Sequence, residues 1–368
     1  MTGTLVELGD VCEFKYGKSL AAAVRDGGQY PVYGSNGIVG SHSATITDGP
    51  TIIIGRKGSF GEIAFSEGSC WPIDTTYFVD ASATNVDLKW LSYRLRGLGL
   101  TELNRAAAVP GLNREDAYRQ KLLLPPIGEQ RRIAELLDHT DAIRAKRRQT
   151  LACLDELSRA TFLNMFGAPA TWPDRWHMGT IGDLADDVQY GTASKAGGHG
   201  AWPIIRMGNL TDDGRLDLSD LKWIDLSETE IPRFTVQRGD LLFNRTNSRE
   251  KVGKTCVVDT DQPLAFAGYL VRVRMKPEHR AEYVNAFMSS RYGQAKRYSM
   301  AKAAINQANI NATEMQSIPI ALPPANLQQQ FARAVADMSA QRERHLRAIC
   351  ELDALFASLQ SRAFSGQL

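Results

Sequence analysis

The chain has 368 residues, 43% of them hydrophobic, with 43 Lys and Arg against 41 Asp and Glu and a formal net charge of +2. That size allows two or three domains with real cores, and the near-balance of charge excludes a global field, so any basic face must be local. Five dispersed cysteines without a Cys-x-x-Cys argue against a zinc site or a disulfide framework, and the longest apolar strip, Ile52-Ile53-Ile54, is far too short to span a bilayer. No basic-then-apolar leader opens the chain, so a cytoplasmic protein with no membrane contact is expected.

Residues 1–123 read as a mixed, strand-rich domain punctuated by glycine clusters, among them Gly27-Gly28 and Gly55 through Gly61. Thr51 to Ile54 and Thr75 to Val79 have the pattern of buried strands, and Leu88 to Leu95 that of a short amphipathic helix. Leu124-Pro125-Pro126 then marks an extended lead into a helix, because proline disfavours helix in the residue before it. This helical segment, 124–167, contains no Gly or Pro between Glu129 and Phe166. Ala168-Pro169 and Trp172-Pro173 read as a linker into a second mixed domain, 168–321. A second Leu-Pro-Pro, at Leu322 to Pro324, opens a second helical segment, 322–368.

The two helices are copies. The offset is 322 − 124 = 198 and holds without a gap, so Asp155-Glu156-Leu157 falls on Asp353-Ala354-Leu355. In the second copy Phe331, Val335, Met338, Arg342, His345, Ile349, Leu352, Phe356 and Leu359 step by four and three, the spacing of a coiled-coil seam. The matching stripe of the first copy is more polar: Ile133, Leu137, Thr140, Arg144, Arg147, Leu151, Leu154, Ser158 and Thr161, widened on its flank by Leu136, Ile143 and Leu157. Antiparallel packing of the copies would gather Arg144, Arg147, Arg342 and His345, to be compensated by acids such as Asp141 and Glu343 or by a partner, or to cover the seam with the arginine stems while the heads reach water. The domains repeat as well, more loosely. Leu8-Gly9-Asp10 recurs as Ile181-Gly182-Asp183, Tyr16-Gly17 as Tyr190-Gly191, and Tyr30-Pro31-Val32 as Trp202-Pro203-Ile204. Ile54-Gly55-Arg56 recurs as Phe243-Asn244-Arg245, and Leu112-Asn113 as Ile310-Asn311. The expected fold is therefore α+β: two strand-rich domains joined by two long helices that pack as an antiparallel coiled coil, a pseudo-twofold repeat.

The sequence offers no catalytic constellation. Gly17-Lys18-Ser19 and Gly253-Lys254-Thr255 look like the end of a phosphate-binding P-loop, but Cys12 and Ser248 stand where its first glycine belongs. The six histidines show no metal-ligand spacing, and Pro173-Asp174 is followed by no convincing Glu-x-Lys of a nuclease. What remains is recognition. Arg56, Lys57 and Ser59 in one domain, and Arg245, Thr246, Asn247 and Arg249 in the other, follow equivalent buried strands with side chains suited to base edges and phosphates. Tyr16 and Lys18 pair in the same way with Tyr190 and Lys195. A third basic segment, Arg291, Lys296, Arg297 and Lys302 interleaved with Tyr292 and Tyr298, belongs to the second domain alone.

On Leu112-Asn113, Leu124-Pro125-Pro126, Glu129-Gln130, their second copies, and Gly239-Asp240-Leu241-Leu242-Phe243-Asn244-Arg245, the chain resembles the specificity subunit of a type I restriction–modification system over essentially its whole length. The second helix departs from that pattern at its start, where Leu327-Gln328 makes a less typical turn. The resemblance implies two target-recognition domains, each reading one half of a split double-stranded DNA site. It implies that the helices set the gap and dock two methyltransferase subunits, to which restriction subunits can add. No cofactor is expected in this chain: S-adenosylmethionine, ATP and Mg would belong to the partners. The rivals are a self-contained DNA methyltransferase or nuclease, and a coiled-coil protein–protein adaptor without sequence-selective DNA binding.

Overall fold

The structure is a computed structural model that describes residues 3–103, 111–304 and 307–367. It divides into two compact units, one formed by Met1–Gln149 with Leu346–Leu368 and the other by Thr150–His345. Each unit holds one end of each long helix.

The helices run Ile127–Phe166 and Ala325–Phe364, 40 residues each, so each is roughly 60 Å long at about 1.5 Å per residue. The double prolines end the strand before each helix, and the first helix stops at Gly167. There a φ of +79° and a hydrogen bond from the Gly167 N–H to the Leu163 carbonyl (2.8 Å) form a left-handed cap. Every seam position predicted in either helix is buried or half-buried, whereas Leu136 and Leu157 on the flank are exposed. Within each unit the helices run antiparallel. In the first, Ile133 and Leu137 share a core with Phe356, Leu359 and Ala363. In the second, Phe162 and Phe166 lie against Phe331, with ring centroids 5.8 and 5.4 Å away.

The polar middle of the seam is resolved by acids across the helix pair. Arg144 donates to Asp353 (2.6 Å) and to Asp141 (2.7 Å), and Arg342 donates to Asp155 (3.1 Å). Since 144 + 198 = 342 and 155 + 198 = 353, these are one ion pair made twice with the copies exchanged, the reciprocity of two like helices packed antiparallel. Asp141 takes the role expected of it, and the acids that Arg144 and Arg342 meet across the seam are Asp353 and Asp155. The Arg144 guanidinium also lies 4.5 Å from the Phe356 ring centre, so its stem extends the apolar seam as its head meets the acids.

The globular parts of the two units share one plan. The first has an antiparallel four-stranded sheet in the order Lys15–Tyr16, Thr76–Val79, Thr51–Gly55, Ile63–Ser66; the second repeats it as Ala185–Tyr190, Leu270–Met275, Leu241–Asn244, Thr255–Val257. In each unit a second sheet contains one parallel pairing, Val32 with Trp71 and Ile204 with Ala265. In each, a two-stranded ribbon leads to the long helix, Thr4–Glu7 with Lys121–Leu124 and Met178–Thr180 with Pro319–Ala321. The expected helix at Leu88 is present as Leu88–Arg96. The stretch read as a linker is different. Pro169–Asp174 forms a 3-10 turn whose Trp172 is fully buried against Phe287 (5.1 Å between rings) and Tyr283 (5.9 Å), because a large apolar ring next to two prolines gains more from the core than from water.

Candidate nucleic-acid interface

The same local chemistry is built in both units, starting from a Tyr-Gly turn. The Gly17 N–H donates to the Thr76 carbonyl and the Lys18 N–H to the Pro72 carbonyl; the Gly191 N–H donates to Leu270 and the Thr192 N–H to Phe266. A β-carbon on Gly17 would lie 2.1 Å from the Ile73 oxygen, and one on Gly191 would lie 2.2 Å from the Ala267 oxygen, so only glycine lets the backbones approach this closely. The turn presents the preceding tyrosine at the surface: Tyr16 is 55% exposed and Tyr190 38%.

An arginine from the end of the central strand stacks on each tyrosine. The Arg56 guanidinium lies 5.3 Å from the Tyr16 ring centre, and the Arg245 guanidinium 5.1 Å from that of Tyr190. The backbone of each arginine is pinned identically. Arg56 accepts the Leu112 N–H and Arg245 accepts the Ile310 N–H, both at 2.9 Å, and Leu112 and Ile310 are themselves 198 apart. Asn113 and Asn311 then cap the short helices that follow. Arg56 is held further, its Nε and Nη2 donating to the Asp74 carbonyl (3.2 and 2.6 Å), whereas Arg245 Nε is buried without a hydrogen-bond partner among the described residues. Beneath Tyr16, Tyr77 packs edge to face; burial and the neighbouring tyrosine push its hydroxyl up to about 12, so it stays a neutral donor toward the Leu112 carbonyl.

The remaining predicted residues divide. Lys18, Lys57, Ser59 and Lys195 are exposed on the loops beside these stacks. Asn247 is half-buried, and its side-chain oxygen accepts the Ser248 N–H. Thr246 is buried and its hydroxyl accepts from Asn309 Nδ2 (3.0 Å), so it holds the loop rather than facing outward. Arg249 lies away from the Arg245 stack, over the ring of Tyr298 (4.3 Å). In the third basic segment Lys296 is half-buried and Arg297 buried, whereas the side chain of Lys302 lies outside the described residues.

Two features are visible only in the structure. Arg114 places a second guanidinium over Tyr16 (5.6 Å) and also faces Tyr118 (5.7 Å); its counterpart in the repeat is Ala312, so the second unit lacks this group. There the Ala312 N–H instead donates to the Tyr190 hydroxyl (3.0 Å). The second feature is a buried glutamine that ties the start of each long helix to its own unit. Gln130 donates to the Pro125 carbonyl (2.9 Å) and accepts the Asp87 N–H (2.8 Å); Gln328 donates to Pro323 (2.9 Å) and accepts the Arg280 N–H (3.1 Å). Gln130 and Gln328 are 198 apart, so both helices start in the same way, and the expected departure at Leu327-Gln328 does not alter the turn. The offset aligns the two glutamines in the sequence, but not the partners they bond.

Among the described residues no group of three or more His, Cys, Asp or Glu could hold a metal ion, and no helix is long and apolar enough to cross a membrane.

The family model described as the type I restriction modification DNA specificity domain matches residues 4–152 and 173–348. The chain is 27% identical over 267 residues to the type I restriction enzyme EcoKI specificity subunit of Escherichia coli K12, covering 67% of this chain, and 23% identical over 265 residues to the StySPI specificity subunit of Salmonella potsdam, covering the same 67%. The matched part spans 57% of the length of each of these relatives. Among solved structures, the type I restriction–modification S subunit from M. genitalium has the same fold, with a TM-score of 0.67, 14% identity, and coverage of 99% of this chain and 96% of that one. A chain from a type I restriction–modification assembly superposes with a TM-score of 0.54 at 16% identity, over 100% of this chain and 99% of that one.

Proposed function

We propose that this chain, which belongs to the type I restriction modification DNA specificity family, reads a bipartite double-stranded DNA site as a non-catalytic subunit, one half-site per unit. The observation that carries this reading is the arginine stacked on a tyrosine at the same point of the same strand order in both units. Stacking uses the face of each guanidinium and leaves N–H groups at its outer end for guanine O6 and N7, the Nη groups of Arg245 and, with its Nε–Nη2 edge held by the Asp74 carbonyl, Nη1 of Arg56; the exposed Lys18, Lys57 and Lys195 supply phosphate contacts. In this reading the chain works in the cytoplasm and docks two methyltransferase subunits, with restriction subunits adding to them. The methyl donor S-adenosylmethionine, ATP and Mg are then held by those partners.

The test is the methylated motif in cells carrying Arg245→Ala. A bidentate arginine contact contributes roughly 1–3 kcal/mol of base discrimination, so one half of the motif should relax at a defined position while the other half keeps its bases. Relaxation in both halves would contradict one unit per half-site. A chain that selects no sequence even with its partners present would return the adaptor reading.

The helices are proposed to set the gap. Inserting seven residues into each, after Arg148 and after Leu346, adds about 10 Å of helix. At roughly 3.4 Å per base pair the methylated gap should widen by about three pairs. An unchanged gap would remove the helices from this role.

A further inference from the structure

The third basic segment forms the helix Arg291–Met300, and one of its arginines points inward. Arg297 is only 6% exposed. Its stem crosses Gly253, where φ is +77° and an added β-carbon would come within 2.9 Å of the Arg297 Cβ, so a glycine makes room for it. Among the described residues no hydrogen bond or ion pair reaches its guanidinium, whose nitrogens still touch solvent. The acid that acts on it, Asp212, is already paired with Lys254, which is itself 7% exposed. Glu250, on the rim, is bonded to Ser248. A guanidinium stays charged at any ordinary pH, and one held this deep with no protein acceptor leaves its N–H groups to solvent or to an anion.

What faces it is a cleft of about 350 Å³, lined also by Arg249, Arg291, Gln294 and Tyr298. The Tyr298 ring holds the Arg249 guanidinium at 4.3 Å. Three arginines, Arg249, Arg291 and Arg297, line the cleft with one acid, Glu250, among the described residues, while nearby Asp212 is paired with Lys254. An anion with several acceptor oxygens would satisfy the buried fork and the rim together, as a phosphate does.

We infer that this cleft is a phosphate-binding subsite, with Arg297 at its floor and Arg249 and Arg291 at its rim, and that its ligand is a backbone phosphate of the bound duplex. The identity of the ligand's source rests on the DNA reading above; the phosphate chemistry does not. Such a contact carries no base information. It fixes the register of the second unit on the duplex.

Two probes test it on the full chain: inorganic phosphate, followed by phosphorus NMR, and duplexes of several sequences, titrated between about 50 and 200 mM salt. The variants are Arg297→Gln and, should that one fail to fold, the surface pair Arg249→Ala with Arg291→Ala. Saturable phosphate binding should be lost in the variants. The slope of log affinity against log salt should become shallower by about 0.9 for each phosphate no longer held, with the ranking of duplex sequences unchanged. Phosphate binding and a salt slope that both match wild type would overturn the subsite, as would a changed ranking at an unchanged slope. If wild type bound phosphate through Arg297 but no duplex, the subsite would stand and the DNA reading would fall.

Discussion

Phe331→Ala should destabilise the second unit by about 3–5 kcal/mol, the range for removing a fully buried phenylalanine from a core that cannot collapse around the gap. Phe331 is the point where the second helix joins that core. It is fully buried, and its ring contacts Phe162 and Phe166 of the first helix, which in turn meet Trp172 and Tyr283 of the globular part. These aromatics belong to one core with the strand residues Phe243 and Val271, so relaxation is limited. Urea unfolding followed by tryptophan emission reads the change. The counterpart in the first unit is Ile133, also fully buried, where Ile133→Val should cost only about 0.5–1.5 kcal/mol. A loss below about 1 kcal/mol for Phe331→Ala would mean that the helix lies on the unit without sharing its core.

Much of this architecture was legible in the chain because it is written twice. Proline pairs stop a strand and start a helix by local sterics, and a four-three apolar stripe has one efficient way to be buried, so helices and seam follow from short-range rules. Arg56 and Arg245 could be singled out because each follows a buried strand at the same point of the repeat. Partners across space were harder. Asp141 is three residues from Arg144 and visible as a neighbour; Asp353 is 209 residues away and becomes its partner only through antiparallel register. The offset already aligned Asp155 with Asp353, yet without the register nothing distinguished them from solvent-facing acids. Trp172 looks like linker in the sequence because local proline content outweighs one aromatic in a pattern, although burial of the ring decides the fold. Arg114 escaped for a different reason. Its stacking on Tyr16 depends on the short helix capped by Asn113, and the repeat has alanine at that place, so comparison of the copies concealed it.

Gly191→Ala should cost the second unit its half-site, although it adds a single methyl group and touches no charged residue. The new β-carbon would stand 2.2 Å from the Ala267 oxygen, 2.4 Å from the Ala267 carbonyl carbon and 2.6 Å from the Phe266 oxygen. All three are backbone atoms, so no side chain can swing aside. The Thr192 N–H bond to Phe266 and the Gly191 N–H bond to Leu270, both 3.1 Å, hold the two segments at that distance and would have to lengthen. Overpacking of this kind costs about 1–3 kcal/mol in stability. The larger effect falls on function, because Tyr190 is the adjacent residue and a shift of its backbone moves the ring on which Arg245 rests. Gly17→Ala should do the same to the first unit, where the clash with the Ile73 oxygen is 2.1 Å. Gly208→Ala is the control: nothing lies within 4 Å of its added carbon and its φ is ordinary, so the motif should be unchanged. Mapping methylated positions with each variant and the partner subunits should show Gly191→Ala and Gly17→Ala erasing opposite halves of one bipartite motif. Loss of the same half by both, or full activity in either, would separate the stacked arginines from sequence reading.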